Sequence, residues 1–216
     1  MSILRLICFA LLPHSALACG AQVCLVDPDA LNLPRLITFD DIASGGGPGL
    51  RVDDLLALSG VSFGEYFAGQ TVTYDGSHDG ISGTAFAPLT LLPGAPGQNL
   101  SVVRFSGNTV LNGYGHKGFP NRDAQGEGAI AVLFEADQSA LAFDLRGGEK
   151  GAALVLFLRR DGSTITHVPV QPTGEFSVGF LRTGGIRDIA GIVVTNTDPQ
   201  GLAIDTLRFG NPPDMS

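Results

Sequence analysis

Asp40, Asp41 and Asp205 are the residues of this chain whose type and spacing point most directly to chemistry. Read as strands, Leu36-Ile-Thr-Phe-Asp-Asp41 and Leu202-Ala-Ile-Asp-Thr-Leu-Arg-Phe209 each run an acid into an apolar alternation. Period-two geometry then puts Asp41 on the face of Ile37 and Phe39, and Asp205 on the face of Leu207 and Phe209. A carboxylate aimed at an apolar layer must be paired or metal-bound, because burying the bare charge is very costly. If the first and last strands meet, the three acids offer oxygens to calcium, which takes about six to eight of them. Such an ion would be structural, pinning the chain ends together. The plainer reading is that each Asp pairs with Arg35, Arg104 or Arg208, or caps a turn through backbone N–H groups.

A second set sits in and after the loop Asn112-Gly-Tyr-Gly-His-Lys-Gly-Phe119. Tyr114, His116, Asn121 and Arg122 combine aromatic rings with amide and guanidinium groups. Rings stack on the apolar face of a pyranose, and the polar groups reach its hydroxyls. His78-Asp79, in another irregular segment, could join them. The competing reading is a glycine-rich loop whose Tyr114 and Phe119 cover one end of the fold.

Gly60-Val-Ser-Phe-Gly64 matches the G-x-S-x-G pattern of serine hydrolases, with Asp144 and His167 following in the required order. The pattern needs Ser62 on a strained strand-to-helix turn, and Glu65-Tyr-Phe-Ala-Gly-Gln70 does not read as that helix. His167 shares a face with Ile165 and Pro169 and reads as a hydrogen-bonded structural residue. There is no H-E-x-x-H, no phosphate loop and no basic cluster.

The elements that must position these groups begin after an export signal. Arg5, the apolar run Leu6-Ile-Cys-Phe-Ala-Leu-Leu12 and Ala16-Leu-Ala18 make the three parts of a signal peptide over residues 1–18. Cleavage there leaves Cys19 first and Cys24 close behind it, so residues 19–34 form a short arm closed by a disulfide. Lipidation of Cys19 is the alternative, anchoring the domain instead of releasing it to the periplasm or the exterior. Thirteen Lys+Arg against 21 Asp+Glu give a net charge of −8, which argues against nucleic acid and anionic membranes as partners. No apolar run is long enough to form a transmembrane segment, and the sequence is silent on oligomeric state.

Thirty glycines, 13 prolines and no Trp describe short strands joined by turns. Residues 129–135, 140–145, 152–160, 164–170, 175–182, 189–195 and 202–209 read as successive strands, with Asp161-Gly162 a hairpin turn. Val52-Asp-Asp-Leu-Leu-Ala-Leu58 is the best helical turn, and residues 108–128 read as the longest irregular segment. No strand–helix–strand rhythm appears. The class predicted is all-β, a two-sheet antiparallel sandwich over residues 35–210 with a tail at 211–216.

In their order, Ile37-Thr-Phe-Asp-Asp41, Phe143-Asp-Leu145, Arg160-Asp-Gly162, Phe176-Ser-Val-Gly-Phe180, Ile189-Ala-Gly-Ile192 and Ala203-Ile-Asp-Thr-Leu-Arg-Phe209 resemble exported bacterial jelly-roll domains. Such domains occur in proteins with a PEP-CTERM-type sorting tail and are similar to galactose-binding-like and carbohydrate-binding modules. The resemblance implies a jelly roll that binds a polysaccharide or cell-surface glycan. Two departures stand out: no sorting tail follows Asn211, and Thr206 replaces the Asn often found at that place. The functional expectation is a non-catalytic exported binding module with a structural calcium. Its rivals are a secreted hydrolase using Ser62 or carboxylates, and a structural part of an envelope or extracellular assembly.

Overall fold

The computed structural model describes residues 19–210; the expected signal peptide and C-terminal tail lie outside the described residues. Nearly every apolar alternation in the sequence becomes a strand, and the strands assemble into two main antiparallel sheets and two small two-stranded ones. The larger sheet runs Val23–Val26, Phe176–Arg182, Ala140–Gly147, Leu202–Phe209, Asn108–Tyr114, Leu100–Phe105 and Leu50–Val52. Arg35–Ile37 and Gln125–Gly128 add to it as side branches. The smaller sheet runs Thr164–Val170, Ala153–Leu158, Ile189–Asn196, Ile130–Gln138, Val61–Gly64 and Leu56–Leu58. The fold is therefore an all-β sandwich with non-sequential strand order.

The core lies between the sheets because one side of each strand is apolar. Leu141, Phe143 and Leu145 from one sheet meet Val155, Phe157 and Ile192 from the other. Phe180 joins them, its ring 5.5 Å from Phe143 and 5.2 Å from Phe157. Burial of such rings is the main term holding the sheets together.

The short strand Arg35–Ile37 lies beside the last strand, while the earlier Val23–Val26 lies at the sheet edge against Phe176–Arg182. Ile37, Leu36 and Arg35 pair antiparallel with Leu207, Arg208 and Phe209. That strand ends at Ile37, however, and Phe39–Ile42 is a turn, with the Ile42 N–H donating to the Phe39 carbonyl at 3.0 Å. The turn cancels the expected parity: Phe39 is buried, while Asp40 and Asp41 are exposed. A second break in parity occurs at Thr206, whose φ of 50° creates a bulge against the neighbouring strand. Ile204, Leu207 and Phe209 all face the core, so Asp205 points outward, not toward Leu207 and Phe209 as strict alternation requires.

Two other segments differ from their sequence reading. Val52–Leu58 is not helical but supplies the ends of two strands, because Asn99 Nδ2 donates to the carbonyls of Val52 and Asp54 and holds the chain extended. Asn108–Tyr114 is a buried strand paired with Leu100–Phe105 and Leu202–Phe209. Its Asn and Gly content hid it. Gly113 is needed there for contact: a Cβ would sit 2.2 Å from the Gly128 carbonyl oxygen.

Cys19 and Cys24 are disulfide-bonded across a sequence separation of 5, at the entry to the edge strand Val23–Val26. So short a loop removes little chain entropy. Reduction is expected to cost at most about 2 kcal/mol, read as a small fall in melting temperature with dithiothreitol and a matching fall for Cys24→Ala.

Candidate functional site

The outward side of the larger sheet carries a cleft of about 360 Å³. Its floor is a small apolar cluster of Val103, Val110 and Ala203, three outward residues on neighbouring strands. Phe105 stands at one end, 53 % exposed. The chain turns directly after it through Ser106 and Gly107, both at positive φ (51° and 89°), the geometry of a tight two-residue hairpin. Polar groups surround the floor. Asn112 follows Val110 on the same face, and its buried side-chain amide nitrogen has no hydrogen-bond partner.

Arg146 reaches in from the next strand but one, held loosely by Asp144 at 3.8 Å. Arg104 and Arg122 also line the cleft, and among the described residues neither has a carboxylate within ion-pair distance. Gln125 and Gln200 are brought to the rim by a crossing of two loops. A Cβ on Gly126 would lie 2.7 Å from the Leu202 nitrogen, and one on Gly201 2.5 Å from the Gln125 carbonyl oxygen. Only glycine allows that approach.

A second cluster lies under the hairpin formed by Gln70–Asp75 and His78–Gly83, which pairs with neither main sheet. Glu65 and Asp79 are both buried and face each other across the junction. Burial pushes Glu65 up to about 9, reinforced by the charge of Asp79. Burial likewise raises Asp79 to about 6, with the charge of His116 opposing the rise and that of Glu127 adding to it. The two groups share a proton at neutral pH.

Around them, His78 Nε2 lies 2.8 Å from Glu127 and 3.0 Å from the Asp198 carbonyl. Both neighbours accept, so Nε2 carries a hydrogen. Ser77 Oγ donates to Glu127 at 3.1 Å, and the rings of Tyr74 and His116 lie 4.8 Å apart. The cluster latches the hairpin to the sandwich.

The sequence candidates fall in several places. Tyr114 is 1 % exposed and packs on Phe119 at 5.4 Å, so its ring offers no face to a ligand. His116 belongs to the latch beside Tyr74. Asn121 caps a short 3-10 turn by accepting from the Asp123 N–H at 3.0 Å. Arg122 alone of the four lines the cleft.

Asp40 and Asp205 reach one corner of the outward face, where Asp40 accepts from the Thr109 N–H at 3.2 Å. Asp205 accepts from Asn108 Nδ2 at 3.0 Å and the Thr206 N–H at 2.7 Å. Burial raises the pKa of Asp205, opposed by the Thr206 bond and helped by Asp144 and Asp40. Both acids are thus occupied by N–H donors, and Asp41 points to solvent. No group of three His, Cys, Asp or Glu among the described residues is arranged to hold a metal ion. The residues as placed do not form a calcium shell.

Ser62 sits within the strand Val61–Gly64, paired on both sides, not on a strand-to-helix turn. Asp144 lies on the other sheet, hydrogen-bonded to Ser177 and facing Arg208. His167 is exposed on an edge strand whose bulge at the Phe157–Leu158 register returns Val168 and Val170 to the core beside Ile165. The three do not converge.

Sequence reasoning missed Phe105, Arg104, Arg146 and the Glu65–Asp79 pair. Phe105 was legible in principle. Positions 101, 103 and 105 share one face, and Phe-Ser-Gly-Asn is a hairpin turn. The acid pair was not legible, since it joins a strand end to the tip side of the next hairpin, and how that hairpin folds back is not a property of either segment.

No family model and no curated protein matches this chain. Among solved structures, it is similar to the enzymatically active domain of tailspike protein 4 from bacteriophage CBA120. Identity there is 15 %, over 70 % of this chain and 19 % of that one, with a TM-score of 0.28. The chain thus spans about a fifth of that protein's length. It is also similar to a mutant of the family 29 carbohydrate-binding module CBM29-2 in complex with mannohexaose. That match has 10 % identity, 73 % and 88 % coverage, and a TM-score of 0.20. Likenesses this distant leave the fold resting on the strand pairing itself, and the relation to PEP-CTERM-type proteins finds no support in them.

Proposed function

We propose that this chain is an exported, non-catalytic glycan-binding domain whose ligand lies in the cleft on the outward face of the larger sheet. One observation carries the reading: an exposed ring, Phe105, stands beside an apolar floor rimmed by amide and guanidinium groups. A pyranose needs that combination, an apolar face for its C–H surface and polar side chains for its hydroxyls. The floor is built on strands, which hold the groups more rigidly than loops do.

The test is retention of the purified domain on a panel of immobilised polysaccharides. The wild type is expected to bind at least one of them. Phe105→Ala is expected to bind that same glycan about tenfold more weakly, a loss of about 1.4 kcal/mol, with an unchanged melting temperature. Absence of retention on every glycan, or a Phe105→Ala domain that binds as well as wild type, removes the reading.

A further inference from the structure

We infer that the cleft selects polysaccharides carrying negative charge, uronate carboxylates or sulfate esters, over neutral ones. This rests on the cleft being the glycan site and adds the class of glycan. The chain has a net charge of −8 and 13 basic residues, yet three of those arginines line this one cleft. Glu175 is the only carboxylate among the described residues lining it.

Elsewhere on the molecule five arginines are arranged otherwise: Arg159 and Arg182 pair with Asp188, Arg160 with Asp137 and Arg51 with Asp53, while Arg35 lies over the Phe209 ring at 5.3 Å. In the cleft, Arg104 and Arg122 have no such partner among the described residues, and Arg146 shares Asp144 with Arg208. Three guanidiniums gathered against the sign of the whole protein cost electrostatic energy unless an anion joins them.

The second observation is independent of charge. Asn112 is only 6 % exposed, lines the cleft, and has a side-chain amide nitrogen with no hydrogen-bond partner. A buried donor without an acceptor is uncommon and destabilising. An oxygen-rich anionic group in the cleft supplies the acceptor, and the planar guanidinium forks bind carboxylate or sulfate oxygens in pairs. Buried donor and unpaired cations thus request the same chemistry.

The experiment compares retention of the full mature domain on polygalacturonate and alginate (carboxylate), chondroitin sulfate and dextran sulfate (sulfate), and mannan and xyloglucan (neutral), in rising sodium chloride. Binding to the charged glycans at least tenfold tighter than to the neutral ones, and falling with salt, supports the inference. The carboxylate and sulfate arms identify the anionic group. Arg122→Gln is expected to weaken binding about tenfold on the charged glycans and not on neutral ones, with unchanged melting temperature.

Asn112→Leu separates a ligand role from a structural one. It is expected to weaken binding while leaving the melting temperature unchanged or raised, because an unsatisfied buried donor is removed. A melting temperature that falls with binding intact overturns the role of Asn112. Equal or tighter binding to mannan or xyloglucan overturns the charge preference while leaving the glycan site standing. No binding to any of the six overturns both.

Discussion

Raising the pH from 6 to 8 is expected to lower the melting temperature of this domain by up to about 10 °C, and Glu65→Gln to abolish most of that slope. The sign follows from the acid pair. In the unfolded chain both carboxyls are ionised above the ordinary Asp and Glu range. In the folded protein burial keeps Glu65 protonated to about 9 and Asp79 to about 6. The native state therefore holds more protons than the unfolded state between those limits, and stability declines as pH rises through the interval. Above the folded values both states are ionised and the decline stops. One proton contributes at most about 1.4 kcal/mol per pH unit.

Asp205, also raised by burial, adds a slope of the same sign only from the ordinary Asp range up to its own folded value. The comparison with Glu65→Gln isolates the pair, because the amide keeps the shape and carries no charge. His78, His116, Glu127 and Tyr74 surround the pair, so its ionisation is felt where the hairpin docks. Hydrogen exchange at pH 9 should show the amides of Gln70–Asp75 and His78–Gly83 exposed ahead of the main sheets. A Glu65→Gln protein with the wild-type pH slope would discard this account.

Asp188→Ala is expected to cost about 3 kcal/mol, among the largest effects of any side-chain truncation outside the apolar core. Asp188 accepts from Arg182 Nε at 2.8 Å and from Arg159 Nε at 2.9 Å. Arg182 is 6 % exposed and also donates to the Gln22 carbonyl at 2.8 Å, which ties the edge strand Val23–Val26 to Phe176–Arg182. Removing the carboxylate leaves a buried guanidinium without its counter-charge.

Burial alone would raise the pKa of Asp188, but the hydrogen bonds and charges of Arg182 and Arg159 outweigh it and hold it below the usual range. Its contribution is thus present above the ordinary Asp pKa and is lost as pH falls through the lower folded value, opposite in sign to the Glu65–Asp79 effect. Urea melts of Asp188→Ala, Arg182→Leu and the double variant Asp188→Leu/Arg182→Leu decide the matter. The double variant is expected to be closer to wild type than Asp188→Ala, since removing both charges costs less than stranding one. Equal losses in all three would refute a stranded charge as the cause.

The two effects also bear on what the acids of this protein do. The sequence directs attention to Asp40, Asp41 and Asp205 because they interrupt apolar alternations. In the fold, the carboxyls with strongly altered protonation are Glu65 and Asp79, at positions with no such pattern. Asp79 stands in a hairpin that reads as a glycine-rich irregular stretch, and Glu65 lies one residue past a strand end. Only the folding of the hairpin back toward Glu65 gives them significance.

What the sequence determined alone was the class of fold and the positions of most strands, because side-chain parity along a strand is local. Leu141, Phe143 and Leu145 can bury together only if residues 140–145 are extended, and each such segment demands a partner sheet. That Leu36–Asp41 lies near the last strand was expected only from the jelly-roll resemblance; its register, with Leu36 opposite Arg208, was not.

Tertiary structure decided the rest at places where parity is reset. The turn at Phe39–Ile42 sends Asp41 to solvent, and the bulge at Thr206 sends Asp205 to the outer face. The cleft exists only because Val103 and Val110, facing each other across one hairpin, fall in register with Ala203 from a strand far along the chain. A residue's neighbours across a sheet depend on pairing offsets between distant segments. No pattern within one segment contains that information.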